Sequence, residues 1–218
     1  MSILEIILPL LSYLAGSIPF GLILSLQQGV DIRKSGSRNI GATNVTRLMG
    51  KKLGIATLMA DMAKGFVPML AAGLILEPTS ANYNLIVSLC GATAVIGHMF
   101  PIYLGFKGGK GVATALGIFL YLAPLAVLFC LATFIGSVYL TGYVSLGSLL
   151  GSLIILPALY LLAEPSWKIY LALFVTTMIW IKHHENIGRL LSGTEKSMKK
   201  KKTADPTIID KKDNLKDM

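Results

Sequence analysis

Long apolar stretches and short polar ones alternate along this chain almost from end to end. Residues 3–26, 53–76 and 83–104 are the first three apolar stretches. Each is as long as the ~20 residues that a membrane-spanning helix needs. Residues 112–140 are apolar throughout, yet as one helix they would be about 43 Å long against a hydrocarbon core of about 30 Å. Pro124 offers a break near their middle. Residues 149–181 pose the same question, with Glu164, Pro165, Ser166, Trp167 and Lys168 at their centre. A single crossing would hold Glu164 and Lys168 near the bilayer centre, at roughly 3 kcal/mol each. Two short helices with a turn at the far surface avoid that cost. The pattern therefore predicts an all-α, polytopic integral membrane protein with seven transmembrane helices and cytoplasmic polar loops. The competing pattern is five spans.

Charge sets the orientation. The polar segment after the first span carries Arg33, Lys34, Arg38, Arg47, Lys51 and Lys52, and residues 105–111 add Lys107 and Lys110. The segment from Lys182 onward holds ten more basic residues, and only Lys64 and Lys168 fall elsewhere. Basic residues collect on the cytoplasmic side, so the N-terminus is predicted outside and the C-terminus inside. Seven spans also bring residues 141–148, with Ser145, to the cytoplasmic face; five spans would leave them on the other.

Composition agrees with a membrane class. Of 218 residues 54% are hydrophobic and only 14% charged, too apolar for an ordinary soluble domain. The net charge of +9 does not indicate nucleic acid, because no aromatic-basic interleaving accompanies it and much of it lies near the C-terminus. Residues 1–195 are predicted to form one membrane domain, and residues 196–218 a lysine-rich, disordered cytoplasmic tail resting on anionic headgroups. Cys90 and Cys130 lie inside apolar segments at no zinc-binding spacing. The first residues lack the basic n-region of a signal peptide.

Candidate chemistry concentrates in the polar segments. Residues 31–47 (DIRKSGSRNIGATNVTR) combine arginines with Ser35, Ser37, Thr43, Gly36 and Gly41. Glycines let backbone N–H groups converge, and guanidinium forks match phosphate oxygens. The alternative is a solvated basic loop that obeys the charge rule. GFKGGKG at 105–111 lacks the spacing and the Ser or Thr of a Walker A loop, so nucleotide hydrolysis is not indicated. Asp61 and Lys64 sit one helical turn apart inside a span and are expected to neutralise each other. His98 ends the third span. The last helix is expected to continue past the membrane, with His183 and Asn186 on one face and Glu185 paired to Arg189. His183 and His184 point apart and no HExxH occurs, so a metal site is not indicated. No serine has a nucleophile-elbow setting, and no His-x4-Asp pattern follows any histidine. A cationic, hydroxyl-rich, glycine-rich membrane rim suits a ligand with one or two phosphates and an apolar tail. A phosphate transporter is the rival class, though transporters usually bind near the midplane and often carry internal repeats, and none is visible here.

These segments resemble a known family, the bacterial integral-membrane acyl-phosphate:glycerol-3-phosphate acyltransferases of the PlsY type. The resemblance rests on GSIPFG at 16–21, SGSRNIGATNVTR at 35–47, DMAKG at 61–65, GHMFPIYLGFKGGKGVATALG at 97–117, YVSLGS at 143–148 and HHENIGRLLSGTE at 183–195. It implies a seven-helix fold in the bacterial plasma membrane with a cytoplasmic active site. It also implies transfer of a fatty acyl group from acyl phosphate to the 1-hydroxyl of glycerol 3-phosphate. The products would be lysophosphatidate and phosphate, with no cofactor or metal and no covalent enzyme intermediate. By position it assigns catalytic work to His183, Asn186, Lys107, Ser145 and His98. Substrate binding falls to Ser37, Thr43, Asn44, Arg47, Lys107, Lys110, Ser145 and Glu185. His184 stands where relatives often have arginine. The implied partners are the two substrates and membrane lipids, with no nucleic acid; a monomer is plausible and the oligomeric state is left open.

Overall fold

The computed structural model describes residues 2–199, and among them every regular element is helical. In chain order these are α1 (Ile3–Ser17), α2 (Phe20–Leu26), α3 (Ala42–Met49), α4 (Lys51–Ile75) and α5 (Tyr83–Met99). After a short 3₁₀ turn at Ile102–Leu104 come α6 (Val112–Leu122), α7 (Pro124–Thr141), α8 (Val144–Leu161), α9 (Ser166–Lys182) and α10 (His184–Leu191).

Proline explains most of the breaks. Ile18 precedes Pro19 and adopts an extended conformation, as the ring of the following proline demands. The first stretch, expected as one helix, is therefore α1 followed by α2. Pro124 starts α7 immediately after a non-helical Ala123, a place where its missing N–H is harmless. The stretch 149–181 breaks around Glu164 and Pro165, between α8 and α9. Three other elements differ from expectation. Residues 42–49 of the polar segment are helical, Ser145 lies in the first turn of α8, and the last helix stops at His183 and restarts as α10.

Among the described residues, five stretches are long and apolar enough to cross a membrane: Ile3–Leu26, Lys51–Ile75, Tyr83–Leu104, Pro124–Thr141 and Val144–Leu161. The remaining apolar elements, α6 with 11 residues and α9 with 17, are shorter. Large aliphatic side chains such as Leu74, Leu140 and Leu161 face outward, as a lipid-embedded surface requires.

Each break leaves backbone carbonyls without a helical partner, and in hydrocarbon such groups must be satisfied within the protein. Lysines from neighbouring helices do this. Lys64 Nζ donates to the Ile18 carbonyl at 2.7 Å, Lys168 Nζ to Leu122 at 2.6 Å, and Lys182 Nζ to Met99, next to the Pro101 break, at 3.2 Å. Buried hydroxyls are satisfied locally: Ser12, Ser17 and Thr57 each donate to the carbonyl four residues back.

Helices approach closely through glycine. A Cβ on Gly16 would strike the Ala94 carbonyl across the α1–α5 contact, and one on Gly65 would strike the Thr114 carbonyl across the α4–α6 contact. Small residues at such seams bring backbones together where lipid gives no hydrophobic drive to association. Ile86, Val95, Met69, Ile118 and Leu159 fill the main core. A smaller cluster of Leu22, Ile32, Ile40 and Val45 anchors the polar segment before α3.

The start of the lysine-rich segment meets the helical domain. Lys196 Nζ donates to the Gly36 carbonyl at 3.0 Å and Lys199 Nζ to Leu140 at 2.9 Å. Exposed carbonyls at the ends of neighbouring elements give these lysines partners that composition alone does not reveal. The rest of that tail lies outside the described residues.

Gly65→Ala should lower stability by about 1–3 kcal/mol, the usual cost of overpacking a tight contact, and thermal unfolding in detergent measures it.

Candidate functional site

Three backbone turns and the start of α8 build the site. The first turn is held by Asn44. Its Oδ1 accepts from the Ser37 N–H at 2.9 Å, and its Nδ2 donates to the carbonyls of Ile32, Ser35 and Asn39 at 3.0–3.2 Å. Gly36 and Arg38 both have positive φ, 67° and 58°. At Gly36 a side chain would collide with the Asn44 amide, which fixes why glycine stands there. The apolar anchors Ile32 and Ile40 point down, leaving Ser37, Thr43 and Arg47 at a cavity wall.

The second turn follows α5. Gly108 and Gly109 donate their N–H groups to the carbonyls of Met99 and His98 at 3.2 and 3.0 Å. A Cβ on Gly109 would fall on His98 Nε2. The glycines therefore allow the backbone to lie against α5 and turn Lys110 inward, where its Nζ bonds Asn186 Oδ1.

The third turn follows α10 and depends on Gly193, at φ 69°. It delivers Glu195 to a knot of donors: Ser145 Oγ, Asn186 Nδ2 and Arg189 Nε each donate to its carboxylate at 2.7 Å. Arg189 also reaches Glu185, the expected partner, but at 3.7 Å. The shorter contact to Glu195 decides where its guanidinium lies.

One cavity of about 520 Å³ joins these groups. Ser37, Thr43, Asn44, Arg47, His98, Lys110, Ser145 and Asn186 line it, together with Arg38, Arg189, Glu195 and Lys196. Its inner walls are apolar, formed by Leu58, Leu116, Phe119, Leu131, Phe134 and Ile155 among others. Among the described residues, Arg47 has no ion-pair partner. Lys107 and Glu185 are exposed and lie outside the cavity lining, and His183 is buried behind it. Arg189 was read from sequence only as the partner of Glu185, and Glu195 was given no role, although both lie in the 183–195 motif. The usable signal was a glycine that ends a helix just before an acidic residue.

Electrostatics follow from this geometry. Burial, with Arg189 nearby, brings Lys110 down to about 8, against a smaller opposing pull from Glu195 and Glu185. Burial raises Glu195, but the hydrogen bonds from Ser145, Arg189 and Asn186 outweigh it and hold the carboxyl below its ordinary value. Burial, and then Lys110, push His183 down to about 4, so it is neutral at pH 7. Its Nδ1 lies 2.8 Å from the Ile179 carbonyl. A carbonyl can only accept, so Nδ1 carries the proton and Nε2 the lone pair. Among the described residues no three His, Cys, Asp or Glu side chains gather as a metal site would require. The chemistry this arrangement can perform is anion capture next to an apolar slot.

Known proteins share this architecture. The sequence model of the family described as glycerol-3-phosphate acyltransferase matches residues 6–193. A glycerol-3-phosphate acyltransferase of Desulfotalea psychrophila is 57% identical over 91% of this chain and 100% of its own length. Another, of Geobacter sulfurreducens, is 46% identical over 89% of this chain and 98% of its own. The crystal structure of PlsY, an integral membrane glycerol 3-phosphate acyltransferase, in its glycerol 3-phosphate form matches with a TM-score of 0.84. It is 39% identical over 89% of this chain and 95% of that one. The same enzyme in its lysophosphatidic acid form gives a TM-score of 0.82 at 38% identity, over 88% of this chain and 94% of that one. A family model that spans residues 6–193, close relatives over nine-tenths of the chain and a shared structure place this chain in the glycerol-3-phosphate acyltransferase family, as an integral membrane enzyme of the PlsY type.

Proposed function

We propose that this enzyme takes its acyl group from a fatty acyl phosphate and gives it to the 1-hydroxyl of glycerol 3-phosphate. The observation that carries the proposal is the continuity of one cavity from a cationic, hydroxyl-bearing rim to apolar inner walls. Both reactants are phosphate esters or anhydrides, and one has a long apolar tail. Such a pair needs cations and a greasy slot side by side.

Acyl phosphate is already activated. The glycerol oxygen attacks the acyl carbon, the bond from that carbon to the phosphate oxygen breaks, and phosphate departs with the bonding electrons. No enzyme nucleophile is required. Arg47, with no competing partner, and Lys110 hold phosphate oxygens, while the Ser37 to Thr43 turn adds hydroxyl and backbone donors. Ser145 and Asn186, pre-set by Glu195, orient glycerol 3-phosphate. Positioning alone can contribute up to about 7–11 kcal/mol in ideal cases, and aligned cations at the developing charge add to it. The hydroxyl proton goes to the departing phosphate, to His98 at the cavity wall, or to His183. Leu58, Leu116, Phe119, Leu131 and Phe134 supply the slot for the acyl chain.

In the membrane, α1 and α2 together form one broken span and α4 to α9 form six more, giving seven. The N-terminus is then outside and the cavity opens to the cytoplasm, as the distribution of basic residues supports. Lys107 and Glu185, both exposed, act at most on approach of the anionic substrates.

Purified enzyme given acyl phosphate and glycerol 3-phosphate should release phosphate and lysophosphatidate in equal amounts; dependence on acyl-CoA instead would reject the donor. Arg47→Ala should lower kcat/KM about ten- to hundredfold, the worth of a charge-assisted contact of about 1.5–3 kcal/mol. Lys110 is cationic below about 8 and neutral above it, so kcat/KM should fall as pH rises through that value. Lys110→Arg, which keeps its charge, should remove that alkaline limb from the pH profile. A cysteine placed at Ser145 should react with impermeant reagents only from the cytoplasmic side; labelling from outside would reject seven spans.

A further inference from the structure

The cavity wall includes an acidic residue, Asp61, that no step above uses. It is 2% exposed, in the middle of α4, and is tied on several sides. Lys64 Nζ lies 2.9 Å from its Oδ1 and also donates to the Ile18 carbonyl at the α1–α2 break. Thr114 Oγ, at the start of α6, donates to the Asp61 backbone carbonyl at 3.0 Å. The carboxyl group is thus held in place between three elements. His98 Nδ1, buried and without a hydrogen-bond partner, faces the same Oδ1 at 3.8 Å.

We propose that Asp61 is a positioning residue for His98 and, through that ring, for the 108–110 turn that carries Lys110. Its effect on rate rests on the acyl-transfer reading given above. A neutral imidazole carries its proton on one nitrogen only, and the neighbouring groups choose which. A carboxylate facing Nδ1 selects the Nδ1–H form and fixes the plane of the ring. Nε2 is then a lone pair on the side where Gly109 packs, so close that any side chain there would collide with it. The backbone of the same turn is bonded to the His98 carbonyl. Ring and turn therefore move together, and the turn ends in the lysine that bonds Asn186. Lys64 has a separate duty: it orients Asp61 while donating to the carbonyl at the broken helix.

Imidazole ¹⁵N NMR of detergent-solubilised enzyme tests this directly, since the chain has only three histidines and His98→Gln assigns the signal. In the unsubstituted enzyme His98 should be protonated on Nδ1. In Asp61→Leu/Lys64→Met, which removes both charges together, the ring should shift towards the Nε2–H form. Its kcat/KM should fall at least tenfold below that of Asp61→Asn/Lys64→Met, so that loss of the Lys64 bond to Ile18 is common to both variants. Asp61→Asn/Lys64→Met, whose amide oxygen can still accept from Nδ1, should keep the tautomer and recover most of the rate, and it serves if the leucine variant does not fold. An Nε2–H ring in the unsubstituted enzyme would overturn the proposal. So would a tautomer indifferent to Asp61, or a changed tautomer with unchanged kcat/KM. The ring measurement needs no substrate, so it fails or succeeds independently of the acyl-transfer assignment.

Discussion

A backbone carbonyl in hydrocarbon has no water to turn to, and this structure is organised around that constraint. At three of its proline-associated breaks a lysine from another helix donates to a backbone carbonyl. The lysines do more than cap. Because Lys64, Lys168 and Lys182 each reach across to a different helix, these three breaks become ties between elements rather than weak points. Two of the lysines bring a carboxylate with them, Asp61 beside Lys64 and Glu164 beside Lys168, so their charge is balanced locally.

The breaks also create the site. A straight first helix would leave no anchor for Lys64, and hence none for Asp61 and His98 at the cavity wall. The stop at Met99 allows the glycine turn to fold back on His98. The interruption at His183 lets α10 leave the axis of α9, and Gly193 then returns Glu195 to Ser145 and Asn186. The rim of the cavity is therefore made of helix ends and turns, where unsatisfied donors and basic side chains gather. The apolar inner walls come from helix interiors. The amphiphilic reactants of this family call for the same division between rim and wall.

Much of this was legible in the residues. Pro124 and the Glu164–Pro165 pair marked their breaks, and the 35–47, 97–117 and 183–195 segments marked the elements of the cavity. Asn44, Arg47, Lys110, Ser145 and Asn186 stand where those motifs placed them. Asn44 proves to spend its side chain on the turn itself. The Pro19 break went unread because a twenty-residue apolar window averages over one proline. Arg189 was assigned to Glu185 by helical spacing, a rule that knows only neighbours along one helix. Its shorter partner, Glu195, arrives from beyond the helix end.

Local chemistry sets what the chain alone determines: which stretches must leave water, where proline and glycine interrupt them, and which segments carry phosphate-seeking groups. These depend on a residue and its near neighbours, and sequence displays both. The tertiary structure decided which of the cations share a cavity and which, like Lys107, stay at the surface. It also decided that Glu195 binds three donors, and that Asp61 faces His98. Such pairings depend on how helices from distant parts of the chain cross, and spacing along the chain carries no record of that angle or distance.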